Sequence, residues 1–104
     1  MIVAFSQTGG LRIGKSVALA LNASWPLARL TITDMDLSLS ALGFTWILPR
    51  SSIRSLGKYR GAFSTGLRIE HSIPHRPPFV VFWTRRFEEL EQELERRGYT
   101  VSAD

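Results

Sequence analysis

Residues 9–16 carry the most specific chemical pattern in the chain. Their sequence, GGLRIGKS, matches the phosphate-loop pattern G-x-x-x-x-G-K-S. In proteins with that loop, backbone amides surround a phosphate, the lysine contacts its outer oxygens and the serine binds magnesium. Lys15 and Ser16 would take these roles here, so nucleotide binding is one hypothesis for the function.

The residues that follow this segment favour a different structure. A phosphate loop opens a helix, whereas Val17, Leu19 and Leu21 alternate with polar or small residues, as in a half-buried strand. Pro26 would end any longer helix. The strand-rich remainder also lacks the repeated strand–helix crossovers of a nucleotide-binding parallel sheet. The competing interpretation is that residues 1–15 form a flexible or short-strand lead-in.

A second candidate site consists of basic side chains in two neighbouring predicted strands and their flanks. They are Arg50, Arg54, Lys58, Arg60 and Arg68. Paired strands would gather them into one patch able to bind phosphates, an acidic peptide or the glutamate-rich helix of a neighbour. Alternatively, charges at edge and outward strand positions prevent aggregation. Basic residues with occasional aromatics are not a specific signature of nucleic-acid binding, which is not predicted.

The remaining residues with chemical potential predict neither a metal site nor catalysis. His71 and His75 are four positions apart, a spacing that converges only on a helix. Three prolines, Pro74, Pro77 and Pro78, exclude a helix in this segment. The chain has no cysteine, and no Ser/His/Asp arrangement is recognisable. We therefore predict no catalytic residue, no metal and no cofactor.

Charge is distributed unevenly along the chain. The net charge is +4, but residues 1–86 contain eleven Lys/Arg and three Asp/Glu, whereas residues 87–104 contain two and six. Such polarity can steer an anionic partner towards one face or pair subunits head to tail. A length of 104 residues and a hydrophobic content of 44% fit one packed domain. The sequence predicts no transmembrane segment, and the lack of cysteine suits a reducing cytoplasm.

The elements that would position these residues are predicted mainly as strands. Apolar and polar residues alternate in short segments at about ten-residue spacing, which is typical of strands joined by hairpins. The seven predicted strands cover residues 16–22, 29–33, 37–41, 44–48, 53–59, 67–70 and 79–83. Gly57 predicts a bulge in the fifth strand. The seventh strand is continuously apolar, which predicts burial on both sides.

The segment after the seventh strand predicts an amphipathic helix. Thr84 is a candidate N-cap, and Gly98 suits the left-handed position that follows a helix. Phe87, Leu90 and Leu94 fall on one face, with glutamates elsewhere. Because one apolar stripe needs one apolar surface, the helix is predicted to close the open end of a small barrel.

The order of these elements resembles the pleckstrin-homology superfold, in particular the short bacterial PH-like and GRAM-like domains. The local sequences that carry the resemblance are residues 30–33 leading into 37–39, residues 48–53, residues 66–69 and residues 79–82. The resemblance implies a barrel of seven antiparallel strands capped by a helix at residues 16–104, and a scaffold for peptides, partner subunits or acidic lipids. Lipid-binding relatives have basic residues in the loop between their first two strands. That loop, predicted here at residues 22–26, has none.

The sequence thus predicts a non-catalytic, cytoplasmic PH-like interaction module. It would bind a protein partner or associate with its own copies through the basic surface of the fifth and sixth strands. Two alternatives stay open: a nucleotide-binding protein that uses residues 9–16, and a peripheral binder of anionic membranes.

Overall fold

The protein is mostly β-structure, with one helix near the C-terminus. The structure, a computed structural model, describes residues 3–15, 20–61 and 64–102. The strands in chain order are β1 Phe5–Gly14, β2 Ala20–Ile32, β3 Asp36–Ala41, β4 Phe44–Pro49, β5 Ile53–Arg60, β6 Thr65–His71, β7 Phe79–Thr84 and β8 Val101–Ser102. A 3-10 turn at Arg50–Ser52 joins β4 to β5, and helix α1, Phe87–Arg96, lies between β7 and β8.

All eight strands belong to one sheet with the order β4-β3-β2-β1-β7-β6-β5-β8. Neighbouring strands are antiparallel except for the short parallel pair β5–β8. The sheet curls into a half-barrel. Because the order is linear, β4 lies at one edge of the sheet and β8 at the other.

The strand count differs from the prediction of seven. β1 lies inside residues 1–15, the predicted lead-in, and it pairs with both β2 and β7. The first predicted strand falls partly on residues 16–19, outside the described residues, and its remainder belongs to the long strand β2. Residues 22–26, predicted as a loop, therefore lie within a strand. β8 was missed because two residues carry no periodicity.

Alternation along β2 and β3 builds one half of the core. Leu30 and Ile32 of β2 and Leu37 and Leu39 of β3 are fully buried, and the residues between them are more exposed. Since successive side chains of a strand point to opposite faces, each strand contributes one apolar row to the interior. The local pattern therefore fixes which face of each strand is inside.

β7 is buried on both faces, as its continuous apolar run predicted. Val80 and Phe82 belong to the core. Phe79 and Val81 point to the opposite face, yet they are 3% and 0% exposed. The Tyr59 ring contacts Phe79 there, with 5.9 Å between ring centres. The second face of β7 is thus covered in part by Tyr59 of β5 and Arg68 of β6.

Helix α1 buries the apolar stripe that the sequence predicted. Phe87, Leu90 and Leu94 are its buried residues. The N-cap is Arg86 and not Thr84. Thr84 still holds the start of the helix, because its Oγ1 accepts a hydrogen bond from the Arg86 backbone N–H at 2.9 Å. Gly98 has the predicted left-handed conformation, with φ of 88°.

Candidate anion-binding groove

An open groove of about 1050 Å³ lies beside the connection from β7 to α1. Four basic residues line it: Lys58 and Arg60 from β5, and Arg85 and Arg86 from the connection itself. Thr65 and Thr84 belong to the same lining. We call this set of six residues the basic groove.

The alternation of β5 brings Lys58 and Arg60 to the groove. Leu56 is 3% exposed in the core, and residues two positions apart on a strand share a face. The side chains of Lys58 and Arg60 therefore lie on the same face of β5 as Leu56, beyond the end of the core. The Lys58 ammonium group lies 5.4 Å from the centre of the Phe87 ring, so the first residue of α1 limits where that side chain can go.

The backbone of the β7–α1 connection is held from two sides. The Arg86 N–H donates to Thr84, and the Arg86 carbonyl accepts a hydrogen bond of 3.1 Å from Nε2 of Gln7 in β1. Gln7 is 7% exposed, and its Oε1 in turn accepts a hydrogen bond from the Thr84 hydroxyl. Because Gln7, Thr84 and Arg86 form one hydrogen-bond network, the backbone position of Arg85 and Arg86 relative to the sheet is fixed.

Trp25 of β2 supports Arg85. The Arg85 guanidinium carbon lies 4.0 Å from the centre of the Trp25 ring, and Trp25 is 46% exposed. Both residues also line a smaller depression of about 440 Å³, together with Ser6 and Thr8. Arg85 and Arg86 border this depression as well as the basic groove. The two recesses thus lie on either side of one pair of arginines.

The charges around the groove are mainly positive. Glu88 and Glu89 are the acidic residues of its lining, against four basic ones. One Arg86 nitrogen lies 3.8 Å from a Glu89 carboxylate oxygen, and both side chains are at least half exposed. Such an exposed pair is screened by solvent and contributes little energy. The groove therefore presents a positive potential to an anionic ligand.

Only two of the five predicted site residues meet in this groove. Arg54 is exposed and occupies the irregularity of β5 between Ile53 and Ser55, so the bulge lies here and not at Gly57. Arg68 pairs with Gly57 and points to the opposite face of the sheet, where its guanidinium lies 5.1 Å from the centre of the Phe79 ring.

Arg50 belongs to a structural network at the other end of α1. Its Nη1 donates to the carbonyl oxygens of Asp34, at 2.9 Å, and Arg97, at 3.0 Å. Its guanidinium also lies 4.1 Å from the centre of the Tyr99 ring. The Arg97 carbonyl belongs to the C-terminal end of the helix, where a positive charge is favourable. Arg50 therefore fastens the helix to the β2–β3 turn and is not part of the groove.

Arg97 and Glu93 extend this network. The Arg97 side chain is 6% exposed and bonds Glu93, Asp34 and the Val3 carbonyl. Burial alone raises the pKa of Glu93, but the hydrogen bonds and charges of Arg96 and Arg97 outweigh it, so the pKa lies below its usual value. The hydrogen bond to Glu93 raises the pKa of Arg97.

Residues 9–14 of the phosphate-loop pattern lie in strand β1. Leu11–Gly14 pairs with β2 on one side and β7 on the other, so the backbone of this stretch is engaged in the sheet. A Cβ atom on Gly9 would lie 2.1 Å from the Trp83 carbonyl oxygen, and one on Gly10 would lie 2.8 Å from the Ala23 carbonyl oxygen. These glycines allow close packing of strands. Lys15 is exposed, and Ser16 lies outside the described residues.

His71 is held by local hydrogen bonds. Its Nδ1 accepts from the Ile73 N–H, so Nε2 carries the proton and donates to the Pro77 carbonyl at 2.9 Å. Across the described residues, no three His, Cys, Asp or Glu side chains come together as metal ligands would.

Sequence reasoning missed Arg85, Arg86 and Trp25 as site residues. The adjacent arginines between a buried strand and a helix were a visible signal, because a charged connection at the mouth of a barrel is a natural ligand contact. Trp25 gave no such signal. Its proximity to Arg85 depends on the pairing of β2 with β1, which no local pattern shows.

The fold and the groove define a curled, mostly β protein with a basic recess beside its helix. No protein-family model, no curated protein and no solved structure matches the chain. No helix in the described part of the chain is long and apolar enough to cross a bilayer.

Proposed function

We propose that the protein is a non-catalytic interaction module of the PH-like type, which binds an acidic segment of a protein partner in the basic groove. The observation that carries this proposal is the convergence of Lys58 and Arg60 with Arg85 and Arg86 around one open recess. These two pairs are 25 or more positions apart in the sequence. They are brought together by the end of one strand and the start of the helix.

The chemistry of the lining suits carboxylates. Three of its four basic residues are arginines, whose planar guanidinium groups bind a carboxylate through two parallel hydrogen bonds. The hydroxyl of Thr65 can donate a further bond to the same ligand. A short run of Glu or Asp in an extended segment would therefore present several acceptors along the groove.

The position of exposed apolar residues favours a protein partner over a membrane. Surface-binding proteins bury apolar side chains among lipids next to their basic residues. Among the described residues, Trp25 is the large exposed apolar side chain that borders the arginine pair, and it is covered on one face by Arg85. Leu42, Phe44 and Ile47 are exposed on the β3–β4 hairpin, outside the groove lining.

The element order supports the PH-like part of the proposal. β1 to β4 and β5 to β7 form two antiparallel series in one curled sheet, joined by the pairing of β1 with β7, and α1 follows β7 directly. The resemblance implies seven antiparallel strands and a terminal helix within residues 16–104, whereas the structure has eight strands and β1 lies before residue 16. A scaffold of this kind supports many functions, so the proposed ligand rests on the groove and not on the fold.

The proposal is tested by fluorescence anisotropy with a labelled peptide of alternating Glu and Gly. We expect salt-sensitive binding, because exposed charges are screened as ionic strength rises. The double variant Arg85→Glu/Arg86→Glu should weaken binding by about tenfold or more. Arg54→Glu is the matched control, since it reverses an exposed charge outside the groove and should change affinity far less.

Two results would overturn the proposal. One is the absence of binding to the Glu-Gly peptide at low salt. The other is an equal loss of affinity in Arg54→Glu and in the single variants Arg85→Glu and Arg86→Glu, which would show a response to net charge alone. A matching peptide of Gln and Gly gives the background, and vesicles containing phosphatidylserine test whether membranes bind in preference to the peptide.

A further inference from the structure

The β4 edge of the sheet is free of charged residues. Its six residues are Phe44, Thr45, Trp46, Ile47, Leu48 and Pro49. Ile47 is 56% exposed and Phe44 is 39% exposed. The tip of the adjoining hairpin adds Leu42, which is 70% exposed. An uncharged strand with exposed apolar side chains is an unusual ending for a sheet, because such an edge offers its backbone to other chains.

The opposite edge of the sheet, formed by β5 and β8, is protected against pairing with another chain. β5 carries Arg54, Lys58 and Arg60, has an irregularity at Arg54, and is partly covered by β8 at Leu56 and Gly57. Charges, bulges and short covering strands are the features by which proteins prevent pairing at sheet edges. Proline is another such feature, and β4 has one at its last position, Pro49, so the uncharged residues 44–48 are left open to pairing.

The backbone of β4 offers two residues for pairing. The two-residue turn Leu42–Gly43, with φ of 49° and 86°, makes Ala41 and Phe44 a hydrogen-bonded pair across the hairpin. Because hydrogen-bonded and non-bonded pairs alternate, the N–H and C=O groups of Thr45 and Ile47 point away from β3. In the described part of the chain, no backbone group of a turn or loop forms a hydrogen bond with the backbone of Thr45 or Ile47.

We propose that β4 pairs antiparallel with β4 of a second copy of this chain, with the twofold axis at Trp46. Thr45 of each copy then lies opposite Ile47 of the other, and these two pairs exchange four hydrogen bonds. All outward N–H and C=O groups of Thr45 and Ile47 are satisfied in this register. On the outer face, each exposed Ile47 side chain is buried against Thr45 of the second copy.

The alternative register, with the axis at Ile47, satisfies fewer groups. It places Thr45 opposite Pro49, which has no N–H to donate, so the Thr45 carbonyl would stay unpaired. The Pro49 carbonyl already accepts a hydrogen bond of 2.6 Å from the Ser52 hydroxyl. Pairing through Thr45 and Ile47 alone avoids both problems.

Charge favours a second copy as the occupant. Strand β4 contains no charged residue, whereas a contact between the basic surfaces of two copies would bring like charges together. Symmetric pairing of β4 places an uncharged strand beside the same uncharged strand, and a nearby cation of each copy is Arg76, whose guanidinium lies 5.6 Å from the centre of its own Trp46 ring. One six-residue strand forms a small interface, so the dimer should be weak and dependent on concentration.

The first experiment is sedimentation velocity over about a hundredfold range of protein concentration, because mass action shifts a weak dimer within such a range. We expect a monomer–dimer equilibrium for the wild type and a monomer for Ile47→Lys, which places two charges at the interface. Val3→Lys is the control, since it changes an exposed apolar residue, 65% accessible, away from β4. Thermal melting establishes that both variants are folded.

The second experiment tests the register by disulfide formation. The wild type has no cysteine, so Thr45→Cys and Ile47→Cys each introduce a single thiol. Opposite residues of a hydrogen-bonded pair have Cα atoms about 5.5 Å apart, within the range that a disulfide spans. Mild oxidation of an equal mixture of the two variants should yield the mixed dimer, with one copy of each variant, in excess over either homodimer. Arg54→Cys, mixed with Ile47→Cys, is the control.

Three outcomes would overturn the proposal. The first is a wild type that stays monomeric at every concentration, even if β4 binds an extended peptide of another protein. The second is a dimer that Ile47→Lys does not weaken, and the third is a predominance of Ile47→Cys homodimers, which would place the axis at Ile47. The groove variant Arg85→Glu/Arg86→Glu should dimerise normally, and Ile47→Lys should bind the acidic peptide normally. Failure of dimerisation and failure of the proposed function are therefore distinguishable.

Discussion

The guanidinium of Arg85 stacks on the indole ring of Trp25, 4.0 Å from the ring centre, although 60 positions separate the two residues. One residue lies in β2 and the other follows β7. β1 lies between those strands in the sheet, so the contact crosses the middle of the half-barrel. The stack fixes one of the two arginines on which the proposed function depends.

Removal of the Trp25 ring should weaken binding of the acidic peptide. A cation–π contact at a partly exposed site contributes about 0.5–1 kcal/mol, so Trp25→Ala should lower affinity by about two- to fivefold. Trp25→Phe retains an aromatic face and should lose less. Peptide anisotropy measures the affinities. Equal losses in the two variants would indicate that the indole acts in some way other than through its ring face.

Arg50→Ala should lower stability and leave peptide affinity unchanged. The variant loses two hydrogen bonds from a charged donor and the contact with Tyr99, which we expect to cost about 2 kcal/mol. Denaturant unfolding measures this change. Arg54→Ala is the control, because Arg54 is exposed, and it should be nearly neutral. A large loss of peptide affinity in folded Arg50→Ala would contradict this assignment and indicate that Arg50 contacts the peptide.

Gly9→Ala should destabilise the protein strongly for a reason unrelated to nucleotide. The added methyl group would lie 2.1 Å from the Trp83 carbonyl oxygen and 2.6 Å from the Phe82 ring, so the strands must move apart. We expect a loss of about 3 kcal/mol or more, measured by denaturant unfolding. At Gly57 the nearest atom would be the Ser102 hydroxyl, at 3.2 Å, and Gly57→Ala should cost about 1 kcal/mol or less.

Lys15→Ala should not alter the effect of magnesium and ATP on the melting temperature, because any anion binding in the basic groove is common to both proteins and residues 9–16 should contribute none. The Gly9–Gly14 backbone is engaged in the sheet, and a ligand that does not bind cannot stabilise the native state. A shift in melting temperature that disappears in Lys15→Ala would contradict this expectation and restore the nucleotide hypothesis.

Acid should destabilise the wild type partly through Glu93. Its native pKa lies below the ordinary value of 4.5, so the native state favours the ionised carboxylate. The resulting stabilisation is fully present above pH 4.5 and is lost as pH falls through the native pKa. Glu93→Gln should therefore be less stable than the wild type at neutral pH, and the difference should narrow in acid. Urea unfolding at several pH values measures the free energy of unfolding of the wild type and of Glu93→Gln. A difference between them that does not change with pH would exclude a contribution from Glu93 ionisation.

Several features of the fold were predictable because their signals are local. Leu37 and Leu39 alternate with serines, and this alone assigns the buried face of β3. Phe87, Leu90 and Leu94 mark the buried face of α1 in the same way. β1 was harder to predict because its glycines weaken the strand pattern. Those glycines are needed where Trp83 and Ala23 approach the backbone closely, a requirement that arises only in the folded sheet.

The candidate site was predictable only in part. Lys58 and Arg60 were identified from their proximity in sequence, and the groove contains both. Arg50 has the same charge but lies where the helix ends, and its hydrogen bonds to the Asp34 and Arg97 carbonyls give it a structural role. Arg68 faces the other side of the sheet because it is out of phase with Leu67 and Ile69. Composition cannot separate these roles.

The sequence by itself determined that this chain forms strands with at least one buried side and a helix near the C-terminus, because side-chain periodicity depends on neighbours along the chain. The tertiary structure alone decided that β1 lies in the middle of the sheet, that Arg85 and Arg86 meet Lys58 and Arg60, and that β4 is left as an uncharged edge. These properties depend on which strands pair and how far the sheet curls. Both are set by contacts between residues distant in sequence.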